Sequence, residues 1–272
     1  MSTKSTVKAT AKKRAKKTVK TRARPSAKTT AVGVEPFTGF RPAALTFLRA
    51  LARNNNREWF ETNRERYERE IRRPLQLLVE EVDVRLATLA PEITGDPKRS
   101  IFRIHRDVRF SKDKSPYKTN AAAWFRHRDA GHSVGTRAVH GGAGFYFHIA
   151  PDECIVAGGI WMPPTEALKE LREAIAEDHE TLREIITERG FRRAFGDLDP
   201  EARLTRPPRG FAPDHEAADL LRYKSFTVSA PLTEAEVLSP KLPDLLAKRY
   251  VSMLPFVRWL NGALGLRAHE RR

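Results

Sequence analysis

The stretch R-I-H-R-D-V-R-F-S-K-D-K-S-P-Y-K-T-N, from Arg103 to Asn120, decides how this chain folds. Upstream of it, apolar residues recur at helical spacing. From Ile101 the period drops to two, with Phe102, Ile104, Val108 and Phe110 toward one side and Arg103, His105, Asp107 and Arg109 toward the other. That alternation predicts a strand, and Arg106, interrupting its apolar face, predicts a bulge or bend. Ser115-Pro116 marks a turn, and Ala121 to Phe125 supplies a strand to pair nearby.

Toward the N-terminus, Phe37 and Phe40 anchor a short loop. Pro42 opens a helix in which Ala44, Phe47, Leu48 and Leu51 share a face. Asn54-Asn55-Asn56 ends it, because Asn favours caps and left-handed turns. A second helical stripe carries Phe60, Tyr67 and Ile71. Pro74 breaks or kinks it, and Leu75, Leu78, Val82, Leu86 and Leu89 continue it.

Toward the C-terminus, His127 to Gly144 reads as a long Gly-rich loop. Phe145–Ile149 and Cys154–Trp161 read as a hairpin. Thr165 is a natural N-cap for a helical region reaching Gly190. Arg203 to Pro213 is irregular, Lys224 to Leu232 alternates as a strand, and Leu242 to Leu264 is a last helix containing Pro255. The expected fold is α+β: a mostly antiparallel sheet of four to six strands packed against helices from residues 42–90, 165–190 and 240–264.

The first 35 residues stand apart. Met1 to Ala31 holds eleven Lys or Arg and no Asp or Glu, a composition too poor in apolar surface to fold. We therefore expect residues 1–35 to be a disordered Lys/Arg/Ala-rich tail and residues 36–266 a single domain. The formal charge is +16, of which Met1 to Ala31 supplies +11, so the rest carries only +5. Lys12, Lys13, Arg14, Lys16 and Lys17 are candidates for non-specific nucleic-acid contact through the phosphates. The acid-free start shares composition with organelle transit peptides, but Lys dominates it. One cysteine, Cys154, excludes an internal disulfide and a Cys-based zinc site. No apolar run is long enough for a membrane span and no secretory h-region opens the chain. The expectation is a cytoplasmic protein, nucleoid-associated if the tail engages DNA.

Several stretches together resemble a known family. Asn56-Arg57-Glu58-Trp59-Phe60 with Asn63-Arg64 and Tyr67 is similar to its N-terminal signature. Arg106 to Asn120, in the pattern R-D-x-R-F-S-x-D-K-S-P-Y-K-T-N, is similar to its central one. Gly144 to Ile149, Gly158 to Trp161 and Pro255 to Leu260 also match. The family is an uncharacterised conserved-hypothetical one, a domain of unknown function found in bacteria and fungi. The resemblance spans roughly Phe37 to Leu266. It implies an α+β domain and brings no activity, cofactor or catalytic residue.

The chemistry must then come from the residues. Arg103, Arg106, Arg109, Ser111, Lys114 and Lys118 converge cations and a hydroxyl in a way that suits a phosphorylated or carboxylated ligand. Asp107 or Asp113 is the candidate base there and Tyr117 the candidate acid. The plainer reading is an ion-pair brace of a sharp turn, and both stand. His105-Arg106-Asp107 lacks the context of a kinase catalytic loop. His105, Asp107, His127, His132, His140 and His148 lack metal-ligand spacing, so His148 reads as a sheet histidine and the loop histidines as solvated. No cofactor is indicated. Cys154 reads as a small core residue and Gly158-Gly159 as close strand packing. Trp59, Phe60 and Tyr67 read as core rather than as a nucleic-acid face.

Overall fold

A computed structural model describes residues 35–109, 112–131, 141–201 and 203–268. Helix α1 (Pro42–Arg53) starts on Pro42, whose missing N–H costs nothing at a first turn. It buries Ala44, Phe47, Leu48 and Leu51. The Asn run does more than end it. Asn54 is the C-cap, and the Asn56 side chain caps α2 (Arg57–Thr62) by accepting from Trp59 N. After α3 (Arg64–Tyr67), a π turn at Glu68–Arg72 leads into α4 (Arg73–Leu89). Pro74 therefore neither breaks nor sharply ends the helical run. It lacks an N–H for the carbonyl four residues back, and the wider turn, in which Arg73 N donates to Glu68 O, takes up the misfit. The expected stripe is buried from Phe60 through Leu86, but Leu89 is exposed.

The sheet has five strands in chain order, all antiparallel: β1 (Ile93–Thr94), β2 (Ala121–His127), β3 (Gly144–Ile149), β4 (Cys154–Ile160) and β5 (Phe226–Pro231). The chain is α+β, as expected. Over the described part of the predicted strand, Ile101 to Arg109, no strand forms. Only isolated bridges, Ile101↔Ala123 and His105↔Tyr117, tie that segment to the chain beyond the turn. Phe102 N donates to Ala122 O, while Lys118 N donates to Ile104 O, so the pairing slips by two residues between them. The distortion sits at residues 119–121, not at Arg106. Of the alternating set beyond Ile104, Val108 is only half-buried, and Phe110 lies outside the described residues.

The C-terminal helices are α5 (Thr165–Glu177), α6 (His179–Thr187), α7 (Arg189–Phe195), the short α8 (Ala218–Leu221) and α9 (Glu234–Leu238), and α10 (Leu242–Ala263). Two expectations change here. Thr165 is the first helical residue and Pro164 precedes it as cap. The helical region does not stop at Gly190; it is recut by the side chains of Asp178 and Glu188, each accepting from a backbone N–H three residues on, and it continues to Phe195. A capping box between Thr233 and Glu236 starts α9, which the sequence reading missed. Pro255 lies inside α10, one turn after the exposed Val251, whose carbonyl it cannot serve as a helical N–H donor.

Strand alternation sorts the sheet into two faces. Phe125, Phe145, Phe147, Val156, Phe226 and Val228 point to the core. There α10 packs on β4 and α4, and the Tyr250 ring stacks on Phe145 at 4.5 Å. Asn261 closes this side by gripping Ala143 twice: its Oδ1 accepts from the backbone N and its Nδ2 donates to the O. His127, expected in a solvated loop, is the last core-facing residue of β2, fully buried with its Nε2 2.9 Å from Arg267 O.

Candidate functional site

The other sheet face lines a cavity of about 630 Å³. Register builds its floor. Trp124, Tyr146, Ala157 and Ser229 form one row across β2 to β5, and Ala122, His148 and Ile155 form the next. Small residues in the middle, with aromatic rings on the β2–β3 side, leave room above β4. Gly159, also in the floor, has φ +124 and lies against β5 too closely for a side chain. This is the close packing expected of Gly158-Gly159.

A line of polar groups crosses the floor. The Tyr146 hydroxyl lies 3.2 Å from His148 Nδ1, and His148 Nε2 lies 4.0 Å from a carboxylate oxygen of Glu153. Burial pulls the His148 pKa below its ordinary value, with Glu153 opposing the shift. Burial, helped by the charge of Glu153, pushes the Tyr146 hydroxyl up to about 12. At neutral pH the imidazole is therefore a neutral base beside a phenol that keeps its proton. Such a neighbouring acceptor and donor is the basic equipment of proton transfer.

The rims differ in charge. On the β2 side stand Phe102 and Lys118, with the ammonium 5.1 Å from the centre of the Phe102 ring. Burial lowers the Lys118 pKa, and the nearby Arg103 and Arg106 lower it further. No carboxylate forms an ion pair with it among the described residues. On the β5 side, Asp199 and Glu201 border the cavity. Asp199 N donates to Thr227 O at 2.8 Å and its carboxylate accepts from Ser229 Oγ at 3.0 Å, which holds it against the outer edge of β5.

Among the described residues, Lys118 alone of the sequence candidates lines this cavity. The others hold one another. Asp107 takes two hydrogen bonds from the Arg109 guanidinium, at 3.0 and 2.9 Å. Asp113 pairs with Arg106 and accepts from Ser115 N and Oγ. Lys114 donates to Val108 O, and Arg103 is exposed. The Tyr117 ring is buried, stacked at 4.0 Å on Phe60. Asn55 clamps the Tyr117 backbone, donating to its O at 2.9 Å and accepting from its N at 3.0 Å. Ser111, His132, His140 and the tail residues Lys12, Lys13, Arg14, Lys16 and Lys17 lie outside the described residues. Phe60 and Tyr67 are core, Trp59 packs against it, and Cys154 is half-buried beside it.

Tyr146, His148, Asp199 and Glu201 were not singled out as a site from sequence. The first two had a signal: polar groups at alternate positions of an apolar strand imply a second, functional face. The acids sit in an irregular connection, where no periodicity reports their direction. Among the described residues no group of three or more His, Cys, Asp or Glu is placed to hold a metal, and no helix is long and apolar enough to cross a membrane.

Residues 43–259 match the model of a family described as Conserved hypothetical protein (DUF2461). Neither the curated proteins nor the solved structures contain a match.

Proposed function

The chain belongs to the DUF2461 conserved hypothetical family, and from that premise we propose that the open sheet face binds a small ligand bearing a phosphate or carboxylate. The observation that carries this reading is Lys118. It is a half-buried ammonium at a cavity rim, with cations and an aromatic ring around it and no carboxylate in an ion pair with it among the described residues. Holding a charge in that place costs free energy that an anionic ligand returns. Arg103 and Arg106 add to the positive potential at the same rim. Asp107, Asp113 and Tyr117 serve in this reading as supports of the Lys118 segment. Proton transfer, where the ligand undergoes it, falls to His148 with Tyr146 as donor.

The test is a thermal-shift screen of the full chain against inorganic phosphate, acetate, sugar phosphates and nucleotides, repeated on Lys118→Met. A ligand that binds only the folded state raises Tm by mass action. A hit that disappears in Lys118→Met supports the reading, and a flat screen sinks it.

A second reading follows from the closed pairs Asp107–Arg109 and Arg106–Asp113, which make the central motif an ion-pair brace. It predicts that Asp107→Asn lowers stability and leaves any anion binding in place. The tail adds a third, non-enzymatic reading: its eleven cations favour counterion release on nucleic acid. Deleting residues 1–35 would then remove DNA affinity and its salt dependence, and unchanged affinity would rule this out.

A further inference from the structure

We infer that the ligand of the open sheet face is an extended zwitterion, its anionic group at Lys118 and an amine at Asp199 and Glu201. The inference rests on the anion-binding reading above and adds the other end of the molecule.

Several charges elsewhere in the domain are matched within the protein. Arg85 pairs with both Glu81 and Asp244, Arg183 with Asp219, and Arg258 with Glu92. The rims of the cavity hold charges of opposite sign that are not matched in this way. Lys118 on one side, and Asp199 and Glu201 on the other, line the same space and form no ion pair among the described residues. They do not reach one another because the sheet lies between them. Three strand gaps separate β2 from β5, roughly 14 Å at the usual spacing. Opposite charges held apart across a cleft call for a molecule carrying the complementary pair, amine to the acids and acid to the amine.

The floor fits the middle of such a molecule. Between the charged rims lie Ala157 and Gly159, low enough for a chain or flat group to cross, flanked by the Trp124 and Tyr146 rings as an apolar wall. Asp199 is also placed rather than loose: Ser229 and Thr227 fix it from the β5 edge, leaving its second carboxylate oxygen for a donor. Glu153 stands apart from this pair, against His148 on the β3–β4 turn.

Titration calorimetry on the full chain would test this with ω-aminooctanoate, octanoate, octylamine and the shorter ω-aminobutyrate. The expected result is that ω-aminooctanoate binds about tenfold or more tightly than octanoate, with ω-aminobutyrate, too short to span, showing no such gain. Asp199→Asn with Glu201→Gln should erase the advantage of ω-aminooctanoate and leave octanoate unchanged. The Asn keeps an oxygen to accept from Ser229, so the β5 edge stays supported. Lys118→Met should weaken both acids. Equal binding of octanoate and ω-aminooctanoate by the wild type overturns the zwitterion while sparing the anion site. Binding of octylamine alone, or of none of the four, overturns both.

Discussion

Replacing Gly159 by alanine tests the geometry of the cleft floor. Gly159 has φ +124, a backbone region that side-chain-bearing residues rarely enter. A Cβ there would stand 2.9 Å from Thr227 Cα and closer still to the Phe226 carbonyl oxygen, where carbon contacts normally need about 3.5 Å or more. The neighbour is backbone of β5, in register with β4 from Ile155↔Pro231 to Ile160↔Phe226, so it cannot rotate away as a side chain would. The strain in φ costs about 1–3 kcal/mol. Prising β4 from β5 loses one or two ladder hydrogen bonds at about 1 kcal/mol each. The expected loss is about 3–5 kcal/mol, or roughly 10 °C in Tm for a domain of this size. Urea and thermal unfolding of the full chain, followed by circular dichroism, measure it. Gly196→Ala is the control: its φ of +73 carries a similar backbone strain of about 1–3 kcal/mol, but no atom lies within 4 Å of the added Cβ, so it should lose that strain alone. If Gly159→Ala costs no more than Gly196→Ala, the close approach of β4 and β5 is wrong, and the floor drawn above goes with it.

Lys118→Met should leave Tm within about 2 °C of wild type, because the lost cation–π contact and the relieved desolvation offset each other at about 1 kcal/mol each; a large drop in differential scanning fluorimetry would mean that the lysine holds the fold rather than a ligand. Asn55→Ala should cost about 2–3 kcal/mol in chemical denaturation, since it orphans both the N–H and the carbonyl of the part-buried Tyr117. Asn56→Ala, losing one helix cap, should cost about 1 kcal/mol, and the reverse ranking would contradict the clamp. For His148, the folded state resists protonation, so its contribution to stability is complete above the ordinary histidine pKa of about 6.5 and is lost as pH falls through the lowered folded value. A pH series of urea midpoints should show that acid limb in the wild type and a shallower one in His148→Asn; identical limbs would place the histidine in a wetter setting than the cavity floor.

Much of the fold was written in local spacing. The stripe from Phe60 to Leu86 and the alternating Phe226, Val228 and Ala230 are all buried as their periods require. The same logic failed from Arg106 to Arg109. Alternation there coincides with a loop in which Asp107 binds Arg109 and Asp113 binds Arg106, and its one described apolar residue, Val108, is only half-buried, too little to hold a strand. Recognising Arg103 to Lys118 as charge-rich was correct, but spacing cannot say which charges face each other and which face a cavity. Lys118 has the same parity as Asn120, Ala122 and Trp124, so alternation puts it on their face, but only the packing of helices on the opposite face leaves that face open as a cavity.

The sequence by itself determined the α+β class, most of the helices, four of the strands and the core residues, because burial of a helix stripe or a strand face follows from intervals of two, three and four along the chain. Only the tertiary structure decided where the cavity lies and which residues line it. Tyr146, His148, Lys118 and Asp199 come from parts of the chain far apart in sequence, and they meet because strand register and the choice of one sheet face for the helices are set by contacts between elements.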